Sequence, residues 1–136
     1  MSTTLNPYIS FRDNARKAMT FYQSVFGGEL TVNTFEEYEA SDDPAENDKL
    51  MHSQLMTPTG LTLMGADTPN AMEYDAGARI SLSLSGDDEA ELRRYWDELT
   101  GSGTVVMPLE QAPWGDYFGM CQDRYGVTWL VNISGS

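Results

Sequence analysis

The same order of predicted elements, one strand, a helix and three further strands, occurs twice along the chain, and this repetition most restricts the possible folds. Strands of the first half are expected at 7–11, 30–32, 50–56 and 61–64. Strands of the second half are expected at 80–84, 105–107, 117–121 and 127–131. After the first strand of each half, apolar residues recur at helical spacing, over 15–26 and again over 92–99. The sequence therefore predicts an α+β fold of two βαβββ repeats whose curved mixed sheets form a cleft.

Two offsets align the halves residue by residue. An offset of 73 residues places Tyr22 on Tyr95, and an offset of 66 places Gly60 on Gly126. A period this long, present twice, indicates a pseudo-two-fold arrangement rather than a solenoid. The predicted organisation is a first module at 1–66, a linker at 67–78 and a second module at 79–136, in one integrated domain.

Short polar signals mark the start of each helix. Asp13 or Asn14 offers an N-cap for the first helix, and Asp88 followed by Glu91 resembles a capping box for the second. The adjacent carboxylates at 87–89 are interpreted as residues of a helix start rather than a catalytic pair, because the helix dipole favours negative charge there.

Charge and cysteine content exclude several classes of partner. The net charge of −13 repels phosphate backbones and anionic lipids, so neither nucleic acid nor a membrane surface is expected as a partner. A single cysteine, Cys121, excludes an intramolecular disulfide and a cysteine-based zinc site. The first residues show neither a basic nor an apolar targeting region, and the chain is expected to be cytoplasmic.

Several segments carry a resemblance to a known family. They are NPYISF at 6–11, ARKAM at 15–19, FY at 21–22, VFGG at 25–28, MPL at 107–109, WGDYFG at 114–119 and DRYGVTW at 123–129. Through them the chain resembles the vicinal oxygen chelate superfamily, which includes glyoxalase I, extradiol dioxygenases and the fosfomycin- and bleomycin-resistance proteins. Within it the closest likeness is to the PhnB-like branch. The resemblance implies the paired-module fold, a small-molecule ligand and a homodimer.

In the metal-dependent members of that superfamily, His, Gln or Glu at four strand positions hold a divalent cation. The resemblance, together with the two offsets, places these positions at Asn6, Met64, Arg79 and Leu130. Leu130 has no lone pair, Met64 offers only a soft thioether, and Arg79 repels a cation. No family-type metal and no cofactor are therefore expected. Arg79 would instead favour an anion on the ligand.

The candidate ligand-binding residues are Tyr8, His52, Arg79, Trp114 and Trp129. For the two tryptophans the alternative is core or dimer packing. For Arg79 the alternative is an ordinary surface or salt-bridged residue. His52 is the only histidine, so no histidine dyad is available, and it is interpreted either as a structural half-buried residue or as an acid–base group lining the pocket. If His52 points inward, Gln54 shares its face and Leu55 does not.

These observations favour a metal-independent small-molecule binding protein. One alternative is a divalent-metal enzyme of the lyase, isomerase or dioxygenase type, with His52 among its ligands. Another is a protein that sequesters a cationic drug. Whether the chain catalyses a reaction is left open. PhnB-like proteins are also described as related to a demethylubiquinone methyltransferase, but the sequence shows no glycine-rich strand-to-helix turn of the kind that a methyl-donor cofactor uses.

Overall fold

Each half of the chain forms a four-stranded mixed sheet with one long helix on one of its faces. The computed structural model describes residues 6–38, 42–70 and 80–134. Its first unit, Met1–Ala76, contains β1 (Tyr8–Phe11), α1 (Ala15–Phe26), β2 (Glu29–Thr34), α2 (Phe35–Tyr38), a 3₁₀ turn (Pro44–Glu46), β3 (Leu50–Met56) and β4 (Thr62–Asp67). Its second unit, Gly77–Ser136, contains β5 (Leu82–Gly86), α3 (Glu89–Thr100), β6 (Thr104–Gln111), β7 (Tyr117–Gln122) and β8 (Thr128–Ile133). The prediction of two βαβββ repeats is confirmed, while the cleft and the module boundaries stay predictions.

The first sheet has the strand order β1-β4-β3-β2. β1 runs parallel to β4, and the other neighbours are antiparallel. The predicted apolar stripe of α1 is fully buried, with Ala15, Ala18, Met19 and Tyr22 each 0% exposed. Gly65 on β4 faces this helix, because a Cβ built there would lie 3.1 Å from the sulfur of Met19. The core of the unit therefore lies between α1 and one face of the sheet.

The two long helices are capped in different ways. Asn14 occupies the N-cap position of α1, but its side chain makes no capping hydrogen bond. Instead, the buried carboxylate of Asp67 accepts a hydrogen bond from the backbone N–H of Ala15 at 3.0 Å. Its other oxygen accepts from the N–H of Leu50, also at 3.0 Å. In α3 the Asp88 N-cap is confirmed, since its side chain accepts a hydrogen bond from the backbone N–H of Glu91. The Glu91 carboxylate accepts from the Tyr95 hydroxyl, so the reciprocal bond of a capping box is not among the described contacts.

The second sheet repeats the topology with the order β5-β8-β7-β6. Trp96 of α3 packs directly on Gly119 of β7, where a Cβ would lie 2.8 Å from the indole ring. Cys121 on the same strand is 0% exposed. Burial raises the pKa of its thiol to about 11, which is typical of an unreactive core cysteine. In the described part of the chain, no helix is both long and apolar enough to cross a membrane.

The last hairpin of each unit has the same hydrogen-bond pattern at an offset of 66. In the first unit Thr57 N donates to Leu61 O, and the Leu61 N–H donates back to the threonine hydroxyl. In the second unit Asp123 N donates to Val127 O, and the Val127 N–H donates back to the aspartate carboxylate. Side chains of different chemistry thus close the same turn, and the offset of 66 is confirmed.

The offset of 73 holds for the helices but is wrong for the first strands. Leu92, Tyr95 and Leu99 are buried as their predicted counterparts on α1 are. In the sheets, however, Tyr8 pairs with Met64 and Ser83 pairs with Leu130. Because the last strands correspond at an offset of 66, these partners show that β1 corresponds to β5 at an offset of 75.

Candidate functional site

The face of the first sheet that points away from α1 carries a mixed set of polar and apolar side chains. Strand alternation and register place it opposite the buried positions Ser53, Leu55 and Leu63. We call this surface the first open face. Its residues are Tyr8 and Ser10 on β1, Thr62, Met64 and Ala66 on β4, His52, Gln54 and Met56 on β3, and Glu29, Thr31 and Asn33 on β2.

Tyr8 and His52 meet on this face across the intervening strand β4. Their ring centroids are 5.9 Å apart with an interplanar angle of 38°. The Tyr8 hydroxyl lies 3.4 Å from Nδ1 of His52, a long hydrogen bond whose direction depends on the imidazole tautomer. Burial raises the pKa of Tyr8 above its usual value, which favours the neutral hydroxyl, a group that can donate a hydrogen bond. Tyr8 is nevertheless 52% exposed, which leaves part of its ring accessible to a ligand.

The side of β3 on which His52 lies also determines its neighbours. Gln54 shares the face, and Leu55 lies fully buried under α1. Asn33 is the cross-strand partner of His52, and its amide donates to Glu37 at 3.2 Å. Sequence reasoning missed Asn33, since only the antiparallel register of β2 and β3 brings it beside the histidine.

Positive charge is missing from the first open face, within residues 6–38 and 42–70. The four described cations of this unit, Arg12, Arg16, Lys17 and Lys49, belong to α1 or to loops. Lys49 is held by Asp13 and Glu46, each at 2.7 Å. Among the described residues, the only acidic side chain on the face itself is that of Glu29, at the end of edge strand β2. A surface of this kind suits an uncharged ligand better than an anion.

The corresponding face of the second sheet, the second open face, is more apolar. It carries Ser83 and Ser85 on β5, Leu130 and Asn132 on β8, and Phe118, Met120 and Gln122 on β7. Trp114 stands beside it, 65% exposed, with its ring 6.2 Å from that of Phe118 and at 61° to it. This placement leaves Trp114 available to a ligand.

Trp129 lies on the opposite face, under α3. It is 3% exposed, and its indole N–H donates to the buried Asp123 carboxylate at 2.8 Å. That environment makes Trp129 a core residue of the second unit, in line with the packing alternative, and removes it from the candidate set. Arg79 falls outside the described residues.

The four positions that the sequence resemblance assigned to a metal do not form a suitable donor set. Met64 and Leu130 lie on the two open faces and present a thioether and an alkyl chain. The corrected offset pairs Asn6 with Ser81 rather than with Arg79, so the argument for an anionic ligand no longer applies. An amide oxygen and a neutral hydroxyl remain, and two neutral donors are too few to hold a hard divalent cation. The described ranges contain no group of three or more His, Cys, Asp or Glu side chains that could hold a metal ion.

Comparison with known proteins identifies the family. A model of the 3-demethylubiquinone-9 3-methyltransferase family matches residues 3–132. The chain belongs to this family. It is 35% identical to the protein PA1353 from Pseudomonas aeruginosa, whose crystal structure superimposes with a TM-score of 0.82 over 99% of this chain and 100% of that one. The predicted PhnB-like branch is thereby supported at the level of the family.

Two further structures relate the fold to the wider superfamily. The putative 3-demethylubiquinone-9 3-methyltransferase, PhnB protein, from Bacillus cereus is 23% identical, with a TM-score of 0.78 over 97% of this chain and 100% of that one. A glyoxylase/bleomycin resistance protein/dioxygenase domain from Frankia sp. EAN1pec is 13% identical, with a TM-score of 0.66 over 100% and 93% of the two chains. Both similarities show the fold alone. The resemblance inferred from the sequence is confirmed.

Proposed function

We propose that this protein binds a small, uncharged aromatic or quinone-like molecule on its first open face, without a divalent metal. The observation that carries the proposal is the contact between Tyr8 and His52, whose polar atoms are 3.4 Å apart. On the rest of the face the only acidic side chain among the described residues is that of Glu29, at the end of edge strand β2. A ring ligand can pack on Tyr8 and on the thioether of Met64. Its oxygens can accept from Tyr8 or exchange hydrogen bonds with His52 and Gln54.

The family name supplies the ligand class. A demethylated ubiquinone is a ring with adjacent oxygen substituents, which is the chemistry that this face can bind. On this face the hydrogen-bonding groups of Tyr8, His52 and Gln54 lie beside the flexible thioether chain of Met64. These residues support a proposal of binding and orienting such a ring, whereas a methyl-transfer step would need a donor that we do not assign to them.

The test is a calorimetric titration of the purified protein with a short-chain 3-demethylubiquinone analogue. We expect saturable binding that Tyr8→Phe and His52→Ala each weaken about tenfold, the effect of losing one hydrogen bond in a partly enclosed site. Tyr125→Phe removes a tyrosine hydroxyl of the second unit and should leave the affinity unchanged. Equal affinities for all three variants would contradict the proposal.

Metal independence is measured on the same samples. Affinity should be the same before and after treatment with a chelator. One equivalent of nickel, zinc, manganese or iron that survives dialysis, with an affinity that depends on it, would instead support a metal-dependent enzyme. A melting temperature raised by a bleomycin-type cation and not by the quinone would support drug sequestration.

Self-association is also proposed. Val105, Val106 and Met107 on edge strand β6 are 45%, 55% and 48% exposed, and an exposed apolar edge favours pairing with a second copy. Sedimentation of the wild type as a dimer, and of Val106→Lys as a monomer, is the expected outcome. The absence of nucleic-acid or membrane partners stays a prediction, which rests on the net charge of −13. A cytoplasmic location also stays a prediction, which rests on the first residues of the sequence.

A further inference from the structure

A second site is suggested by a pocket on the helix side of the second unit, away from its open face. The pocket has a volume of about 250 Å³ and lies between α3 and β6. Its lining residues are Arg93, Trp96, Asp97, Val105, Pro108 and Leu109. This volume is below the roughly 300–1,000 Å³ of pockets for drug-sized ligands, so the occupant must be small.

The pocket exists because β6 is irregular. Its pairing with β7 shifts register twice, between Val105 and Met107 and again between Met107 and Glu110. Pro108 lies within the second shift and has no N–H to donate to the sheet. Opposite it, Gly119 lets the strand backbone and the Trp96 ring approach each other. The bulged strand and the indole ring together form an apolar wall.

The helix supplies two opposite charges to the same pocket, one turn apart. Arg93 is already oriented, because its Nε donates to Glu89 at 2.8 Å and its guanidinium lies 5.1 Å from the centre of the Tyr117 ring. The ion pair uses Nε, and the ring contact uses the face of the guanidinium. Over the part of the chain that the structure describes, its two terminal nitrogens have no hydrogen-bond partner, which leaves a fork able to bind a carboxylate.

Asp97 provides the complementary charge. Residues four apart on a helix are neighbours, and an Arg–Asp pair at this spacing commonly forms an ion pair. Here Arg93 is paired with Glu89 instead, and across the described ranges no cation lies within 4.0 Å of the Asp97 carboxylate. The pocket thus presents a free carboxylate, a guanidinium edge and an apolar wall.

We propose that this pocket binds a free α-amino acid with an apolar side chain. The ligand carboxylate would bind the terminal nitrogens of Arg93, its ammonium group would bind Asp97, and its side chain would pack against Trp96, Val105 and Leu109. A zwitterion satisfies both charges without adding net charge to the pocket. The proposal is independent of the quinone site, because it uses different residues and a different ligand.

The test is an NMR titration of the ¹⁵N-labelled protein with L-leucine. We expect shifts confined to the amides of α3 and β6 and a dissociation constant on the order of 1 mM, since so small a ligand in a solvent-open site gains little binding energy. Two analogues test the charges separately: 4-methylpentanoate lacks the ammonium group, and 3-methylbutylamine lacks the carboxylate. Each should bind about tenfold more weakly or worse.

Matched variants locate the site. Arg93→Gln and Asp97→Asn should each weaken L-leucine binding about tenfold. Arg94→Gln is the control, because Arg94 lies on the same helix and has an equivalent ion pair with Glu98 at 3.0 Å, but does not line the pocket. Unchanged binding in Arg93→Gln, a loss equal to that of Arg94→Gln, or no shifts with L-leucine at about ten times the expected constant would overturn the proposal.

Discussion

Replacing Asp67 tests how strongly one buried carboxylate stabilises the first unit. Asp67 is 7% exposed, and its two oxygens accept separate hydrogen bonds from the backbone N–H groups of Ala15 and Leu50. Asparagine keeps one acceptor oxygen and turns an amide N–H₂ toward the other N–H, which stays buried without a partner. A hydrogen bond to a charged group contributes about 1.5–3 kcal/mol, so Asp67→Asn should lower the free energy of unfolding by about 2–3 kcal/mol. Asp67→Ala removes both acceptors and should lower it by about 3–5 kcal/mol.

Urea denaturation followed by circular dichroism measures both losses. Removing a negative charge from a chain of net charge −13 also relieves repulsion, which would stabilise the protein and hide part of the effect. Asp48→Asn is therefore the control, because Asp48 is exposed and the substitution makes the same change in charge. If Asp67→Asn falls within about 0.5 kcal/mol of Asp48→Asn, the reasoning is refuted.

Three further measurements test separate features. Gly28→Ala should lower the free energy of unfolding by more than about 2 kcal/mol, since φ is +101° and a Cβ would lie 2.1 Å from a carbonyl oxygen of β3. Gly60→Ala is the control, because φ is +91° but nothing lies within 4 Å of its Cβ position. It should cost only about 1 kcal/mol in the same denaturation assay. Cys121 should react with a thiol reagent at pH 8 only after denaturant is added, because burial raises its pKa to about 11; a fast reaction of the native protein would contradict this. Burial and the hydrogen bond to Glu91 raise the pKa of Tyr95 to about 12, above the unfolded value of 10.0. The stability that Tyr95 contributes is therefore complete below pH 10 and falls as the pH rises toward 12. The free energy of unfolding of Tyr95→Phe should decline less steeply over that range than that of the wild type, and parallel declines would count against this reasoning.

The sequence alone predicted those elements whose structure depends on a local period of apolar residues. The stripe of α1 and the alternation of β3 predicted both elements with their observed bounds, Ala15–Phe26 and Leu50–Met56. The same period of two placed Gln54 on the side of His52. Patterns of this kind state which residues share a face, because the backbone geometry alone determines it.

Features that depend on the order of strands could not be predicted. Tyr8 and His52 are 44 residues apart and meet because β1 and β3 lie on either side of β4, an order that no local pattern shows. The first-strand offset was misjudged because the apolar stripes of the helices align at 73. The alternating Ile80–Leu84 run then hid the true strand, Leu82–Gly86, which ends in Ser85 and Gly86.

The two ways of capping the helices also affect how fast each can form. The Asp88 cap of α3 closes over 3 residues, so it is available as soon as the helix begins to form. The cap of α1 requires Asp67, 52 residues along the chain, and therefore forms only once β4 has docked. We expect Asp88→Ala to slow refolding, and Asp67→Asn to leave refolding unchanged and accelerate unfolding. Stopped-flow rates of the two variants measure this difference, and equal effects on refolding would contradict it. The two repeats would then share a topology but acquire it on different timescales.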